Sequence, residues 1–244
     1  MTARRRKKSA AARVRPFWIL ILLVLAAAAA GGYYGASWSG FRAKSIAVSG
    51  NSAVQRNEIV QAAAISPHQN LWLQNMHAAV ARIRKIPYIE DARVRRGLPA
   101  TARIEVTERQ PYAIVRGRDG ALLVDRELRV LETGAERSDL PVFQSNVQEA
   151  APGAFLRDTA LSAMRTDYET LAKAHVAVRR LSFDRLGDLV VSSENGISIK
   201  LGDDTDLETK AALIEPILSQ TQQRGQRVRA LDLRAPKTPV IVYR

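Results

Sequence analysis

The sequence predicts an α+β protein. A single N-terminal transmembrane helix precedes a small strand–helix–helix–strand–strand unit, and a larger, mostly antiparallel β domain with flanking helices follows. Three observations carry this. Residues 16–38 contain no charged side chain. Between Ser45 and Thr107, alternating runs enclose two stretches of helical period. Beyond Pro111, short apolar runs recur between turn residues and are interrupted by two helical stretches.

The uncharged run PFWILILLVLAAAAAGGYYGASW is long enough to span a bilayer, which needs about 20 mostly apolar residues in a helix. Phe17 and Trp18 at one end, with Tyr33, Tyr34 and Trp38 at the other, are placed like the two interfacial aromatic belts. Residues 1–15 form a basic tail: Arg4, Arg5, Arg6, Lys7, Lys8, Arg13 and Arg15 are cations, and no acid accompanies them. By the positive-inside rule the tail stays in the cytoplasm and everything after Trp38 is exported. A cleaved signal peptide is the rival, because a basic stretch, an apolar core and small residues near Ala30–Ala36 also fit it. The apolar run exceeds the roughly 7–15 residues of a signal core, which favours a retained anchor.

Charge then divides by side of the membrane. The chain of 244 residues has 37 Lys/Arg and 24 Asp/Glu, net +13. Removing the seven tail cations leaves 30 bases against 24 acids beyond the membrane, or +6. The basic balance is largely topological, and basic aromatic stacking motifs are missing, so no nucleic-acid partner is expected. There is no cysteine, hence no disulfide and no thiolate ligand or nucleophile.

After the Ser39-Gly40 hinge, Ser45–Ser49 alternates as a strand and ends at the turn Gly50-Asn51. Ser52-Ala-Val-Gln55 has capping-box spacing, which predicts a helix from there through Ile59, Val60 and Ala63, stopped by Ser66-Pro67. Leu73, Met76, Val80 and Ile83 form the apolar stripe of a second helix, ended by Pro87. Tyr88–Arg95 and Thr101–Thr107 are strands joined at Gly97-Leu98-Pro99; Ile104 and Val106 face in, while Arg103, Glu105 and Thr107 face out.

Tyr112–Val115, Ala121–Val124 and Arg129–Leu131 are further short strands, and Gly153–Val176 is expected to be helical. Val178–Phe183, Asp188–Ser192 and Gly196–Leu201 are strands, with a hairpin turn at Asn195-Gly196. Thr205-Asp-Leu-Glu208 has capping-box spacing before a helix bearing Leu207, Ile214, Leu218 and an internal Pro216. Arg227–Leu233 and Pro239–Tyr243 close the sheet.

SIAVSGN, IPYIEDARVRRGLP and TARIEVTERQP resemble the POTRA domain of the bacterial division family FtsQ/DivIB, whose marks are an "I.V.GN" strand, a proline-bounded turn and an "ErxP" exit. Tyr88 stands where family members often carry Trp. LLVDRELRVL is similar to the family's "lvD..G.v", with Leu128 at the glycine position. NGISIKLG, a helix and then ALDLR resemble the family's C-terminal ending. The resemblance implies a POTRA domain over 41–110 and an FtsQ-type β domain over 111–244. It also implies a non-enzymatic scaffold of the inner membrane at the division septum, which recruits FtsB and FtsL and links early with late divisome proteins. The partner site is then Arg234, of the family's "DLR", with Thr238, Val240, Ile241, Val242 and Tyr243 as the paired edge. Ala235 replaces a common aromatic, and Pro236 and Pro239 interrupt the donors. A proline at Val240 removes a partner-facing donor if that N–H points outward.

Catalytic signals are missing. His68, His77 and His175 lack metal-ligand spacing, and no nucleophile elbow, Walker or dinucleotide motif occurs. Glu90-Asp91 and Asp203-Asp204 are paired acids, but adjacent strand residues face opposite ways and acids before a helix serve its N-terminus. No catalytic residue, cofactor, metal or small-molecule substrate is expected. Two other classes remain open: a POTRA-bearing export or outer-membrane assembly adaptor, and a peptidoglycan-cleaving enzyme.

Overall fold

The computed structural model describes residues 11–244, and their side chains except those of 11–17 and 36–37. The tail cations Arg4, Arg5, Arg6, Lys7 and Lys8 lie outside the described residues, as does the side chain of Arg15. Helix α1 is Ala11–Ser37. Its segment Trp18–Gly35 is long and apolar enough to cross a membrane, and none of it is buried. At 1.5 Å per residue that segment alone spans about 27 Å, close to a hydrocarbon core. One N-terminal apolar helix of this kind suggests single-pass anchoring.

The chain divides into two compact units, one running to Ile83 and including Asp91–Val106, the other comprising Arg84–Glu90 and Thr107–Arg244. In the first, β1 (Ser45–Ser49) is followed by α2 (Arg56–Ala63), α3 (Met76–Ile83), β2 (Ile89–Gly97) and β3 (Thr101–Glu108). The sheet order is β1-β3-β2, and β1 runs parallel to β3 with Ser45 opposite Thr101. Ile104 and Val106 are buried while Arg103, Glu105 and Thr107 are exposed, the alternation the sequence predicts. Gly50 has φ +84, and a Cβ there would lie 2.1 Å from the Val106 carbonyl oxygen, so the turn after β1 accepts only glycine.

Helices α2 and α3 depart from the sequence reading at their starts. Ser52 does not cap α2; Gln55 occupies the cap without a side-chain bond, and Asn51 Nδ2 instead donates to the Val54 carbonyl, holding the preceding turn. Asn75 caps α3, its Oδ1 accepting from the Ala78 N–H at 3.0 Å. Leu73 therefore falls outside the helix and is exposed, and the buried stripe is Met76, Ala79 and Ile83, with Val80 half-buried at its flank. Arg82 donates to the carbonyls of Ala62 and Ala63 at the end of α2, which satisfies C-terminal acceptors that have no helical partner.

The second unit carries β4 (Ala113–Arg116), β5 (Ala121–Val124), β6 (Val130–Thr133), β7 (Val142–Gln144), α4 (Thr159–Lys173), β8 (Val178–Phe183), β9 (Leu189–Ser193), β10 (Ser198–Gly202), α5 (Leu207–Gln223), β11 (Val228–Asp232) and β12 (Val240–Tyr243). They form one sheet in the order β12-β11-β10-β9-β8-β7-β4-β5-β6. The pairs β4–β7, β7–β8 and β10–β11 are parallel and the others antiparallel. Leu161, Met164 and Leu171 of α4 and Ala211 and Ile214 of α5 bury against Phe143, Leu181, Val191, Ile199 and Leu231 on one face. Ile114, Leu123, Leu131 and Val142 bury on the other.

Helix α4 begins six residues later than the expected start at Gly153 and ends at Lys173. Asp158 caps it, Oδ1 accepting from the Leu161 N–H at 3.0 Å, while Gly153 turns the chain (φ +91) and residues 154–157 stay outside the helix. Nor does Thr205 cap α5. Asp206 does so in a left-handed conformation (φ +56) without a side-chain bond. Asp203 engages Lys210, whose Nζ donates to its carbonyl and carboxylate at 3.1 and 3.2 Å. Helix α5 continues through Pro216.

The packing separates two neighbouring positions. Ala79→Asp places a charge in a fully buried site, so it should abolish the cooperative unfolding of the first unit, at a cost of several kcal/mol. Val80→Asp should leave the unit folded with a lower Tm. Amide hydrogen exchange of β1 and β3 in the full chain checks both; equal protection in the two variants would refute the Ala79 stripe.

Candidate functional site

Strand β12 is the terminal strand of the nine, and among the described residues it pairs only with β11. Val240 lies opposite Asp232, Ile241 opposite Leu231 and Val242 opposite Ala230; a bulge at Arg229 follows, and Tyr243 meets Val228. The Arg244 N–H donates to the Arg227 carbonyl at 2.8 Å, and the Leu233 N–H to that of Lys200 on the far side of β11 at 2.8 Å. Backbone groups alternate along an antiparallel strand. Hence Val240 and Val242 direct their N–H and C=O groups into β11, and Ile241 and Tyr243 direct theirs outward.

Side chains sort by the same alternation. Ile241 is half-buried against the helix-covered core. Val240 (58% exposed) and Val242 (45%) stand on the opposite face, and Tyr243 is 44% exposed. Thr238 precedes the strand, its N–H closing a turn onto the Ala235 carbonyl at 3.0 Å. The expected edge of 238–243 thus contracts to Val240–Tyr243 as strand. The Val240 N–H faces β11 and not solvent, so a proline there breaks the sheet's own ladder.

At the other end of the sheet the chain covers its edge. The Val130 N–H donates to the Ala154 carbonyl (2.8 Å), the Gly153 N–H to that of Val130 (2.7 Å), and the Leu156 N–H to that of Leu128 (2.9 Å). The segment kept out of α4 is what lies along β6.

Arg234 leaves β11 on the face away from the core and folds back onto Asp232. Its Nη2 donates to Asp232 Oδ2 at 2.7 Å and its Nε to Oδ1 at 3.1 Å, while Nη1 lies 3.8 Å from Asp188. The hydrogen bond from Arg234 holds the Asp232 carboxyl below the usual range. The guanidinium is half exposed. Any carboxylate brought to Arg234 meets a fork already engaged within the chain.

A second polar node went unrecognised in the sequence although both its motifs are visible there. Arg109, of the "ErxP" exit, donates Nη1 to Asp125 Oδ2 at 2.6 Å and to Glu127 Oε2 at 2.8 Å. Asp125, of the "lvD" run, is buried and accepts the N–H groups of Glu127 and Arg129, each at 2.9 Å. Leu128 closes this turn with φ +61 and its side chain buried, a glycine-like backbone retained by an apolar residue. The Arg109 N–H donates to the Tyr88 carbonyl at 2.8 Å, and the Tyr88 hydroxyl bonds Glu132 at 3.0 Å.

Among the described residues no group of three or more His, Asp or Glu side chains is placed to hold a metal ion. Asp91 pairs with Arg93 and Asp203 with Lys210. Asp167 on α4 is buried, and burial, aided by the Asp204 charge, pushes its carboxyl up to about 6.

A βααββ unit and a nine-stranded sheet that follow, among the described residues, one long apolar helix define a POTRA-bearing class of protein. The family model "POTRA domain, FtsQ-type" matches residues 41–109, and "Cell division protein FtsQ/DivIB, C-terminal" matches 113–234. The chain belongs to the FtsQ/DivIB family of cell division proteins. It is 28% identical over 205 residues to Cell division protein FtsQ of Anaeromyxobacter sp. (strain K), covering 81% of this chain and 69% of that one. To the protein of the same name in Neisseria meningitidis serogroup B it is 27% identical over 168 residues, 68% and 67% of the two chains. The Mycobacterium tuberculosis protein of that name is 25% identical over 199 residues, 82% of this chain and 60% of that one.

Two outcomes follow from the polar groups. Arg109→Met leaves Asp125 without its cation and should cost roughly 3 kcal/mol, whereas Asp125→Asn keeps both backbone contacts and should cost less; denaturant titration measures both. Asp167 has a folded pKa above its unfolded value near 3.8, so the folded state holds more protons between about pH 4 and 6. Stability from this group is therefore greatest below pH 4 and declines as pH rises to about 6. Asp167→Asn should remove that decline and raise Tm at pH 7.

Proposed function

We propose that this chain is a non-enzymatic, single-pass scaffold of the inner membrane that captures the FtsB–FtsL pair at the division septum through β12. The observation that carries the reading is the open, apolar C-terminal edge. Proteins usually protect such edges with charge, proline or a covering segment. Here the only proline at the strand stands at its entrance, and Val240, Val242 and Tyr243 stay exposed. An extended partner segment would pair with the outward N–H and C=O groups of Ile241 and Tyr243, and its side chains would extend the apolar face of Val240 and Val242. Arg234 lies on the neighbouring strand end, where a partner carboxylate can exchange with Asp232.

The orientation follows from charge. Seven cations precede Phe17 and none lies between Pro16 and Gly40, so the N-terminus is cytoplasmic and both units are exported. A reporter enzyme fused after Arg244 should be active only outside the cytoplasm, and the mature protein should retain residues 1–38. Mass spectrometry finding a terminus near Ala36 would sink the anchor but not the exported fold.

The edge is tested by three variants. Tyr243→Pro removes an outward donor and should weaken capture of purified FtsB–FtsL at least tenfold with Tm almost unchanged. Arg234→Gln should weaken capture severalfold; a glutamate there would add repulsion from Asp232 and Asp188, which obscures the result. Val240→Pro should lower Tm, because it breaks the β11 ladder. Undiminished capture by Tyr243→Pro and Arg234→Gln together would move the partner site elsewhere.

A further inference from the structure

Three segments distant in sequence meet where the chain leaves α1. The Phe41 carbonyl, four residues beyond Ser37, accepts from the Leu71 N–H at 2.8 Å. Arg42 and Asn70 form an antiparallel bridge, and the Lys44 N–H donates to the Ala100 carbonyl at 2.9 Å. The parallel register of β1 and β3, Ser45 opposite Thr101, sets the Leu98-Pro99 turn at that same end of the sheet. Residues 38–44, 70–74 and 96–100 therefore make one end of the first unit, and none of them is acidic.

This end carries four exposed large apolar side chains: Trp38 (60% exposed), Trp72 (42%), Leu73 (74%) and Leu98 (80%). The Trp72 indole N–H donates to the Pro99 carbonyl at 3.4 Å, so the ring sits against the turn bearing Leu98. Arg96 lies over that ring, 6.0 Å from its centroid, and bonds the carbonyls of Leu71 and Gln74. Arg42 and Lys44 are exposed beside it. Apolar side chains, an interfacial aromatic and cations without acids are the composition of a surface that lies on anionic lipid.

We infer that this end of the first unit seats on the bilayer, with Leu73 and Leu98 entering the boundary between headgroups and acyl chains. Trp72 lies at headgroup level, and Arg42, Lys44 and Arg96 face lipid phosphates. The inference rests on α1 spanning the membrane. Four linking residues reach at most about 14 Å, so the patch is held near the end of the span. Two leucines and a tryptophan would bind a vesicle weakly as a free domain. Tethering supplies a high effective concentration, and a weak contact is then populated.

The chain lacks cysteine, so single-cysteine variants accept one dye each. Leu73→Cys and Leu98→Cys, labelled with an environment-sensitive fluorophore, are reconstituted as full chains in nanodiscs of phosphatidylglycerol and phosphatidylethanolamine. Leu25→Cys reports on α1, and Leu186→Cys, 83% exposed in the second unit, is the aqueous control. Labels at 73 and 98 should shift to the blue and be quenched by brominated lipid at least twofold more than the label at 186. Replacing phosphatidylglycerol with phosphatidylcholine should reduce that quenching. Quenching at 25 with 73 and 98 behaving like 186 overturns this inference alone. A blue shift without lipid quenching points to a protein neighbour and overturns it as well. An unquenched label at 25 overturns the anchor and the lipid contact together.

Discussion

An open sheet has two edges, and each exposes a row of N–H and C=O groups that must find water, chain or partner. That constraint organises the second unit. Its β6 edge is met by the chain itself, through Gly153, Ala154 and Leu156, and this requires that residues 153–157 not join α4. Asp158 enforces the delay by capping the helix where it does. Among the described residues nothing pairs with the outer edge of β12, and Val240, Val242 and Tyr243 are exposed there. The asymmetry is built from one cap and one extended segment.

The same unit places a charge pair where an apolar contact would be simpler. Arg109 and Asp125 are both nearly sequestered from water, yet Asp125 also accepts two backbone N–H groups and Arg109 holds Glu127 as well. A buried ion pair adds little net stability against an apolar replacement, but losing one partner strands the other. The pair fixes the exit from β3 against the turn after β5, and that turn forces φ +61 on Leu128. Leucine in that conformation is disfavoured by roughly 1 kcal/mol relative to glycine, and burial of its side chain offsets the strain.

The sequence disclosed element order and the faces of strands well, because period-two alternation is a local property read directly from side-chain type. Ile104 and Val106 against Arg103 and Glu105 illustrate it. Helix starts were less legible. Capping-box spacing at Ser52 and Thr205 competed with Gln55 and Asp206, and tertiary contacts decided: Arg56 reaches the Ile46 carbonyl, and Lys210 draws in Asp203. The stripe through Leu73 and Val80 shifted to Ala79 because small residues at close helix contacts carry little hydrophobic signal. At the C-terminal edge the strand could be recognised, but the direction of each N–H could not. That direction depends on the parity of the β11 pairing and on the bulge at Arg229, neither of which has a local mark.

Arg234 shows how a residue can be paired and still available. Its fork is bidentate on Asp232, which looks like closure of the site. The pair is half solvated, however, and surface ion pairs of this kind contribute little. Exchanging Asp232 for another carboxylate therefore costs little, provided the incoming group is delivered in register. Main-chain pairing along Ile241 and Tyr243 would supply that register, since it fixes a partner strand to within one residue and a slip would reverse its faces. Asp232 meanwhile holds the guanidinium folded back, and the aliphatic stem of Arg234 passes over Gly202, where a Cβ would lie 3.1 Å from the Arg234 Cγ. In the proposed reading, an edge that would set position and a cation that would select charge are separable requirements, one met by β12 and the other by the residue two places beyond β11.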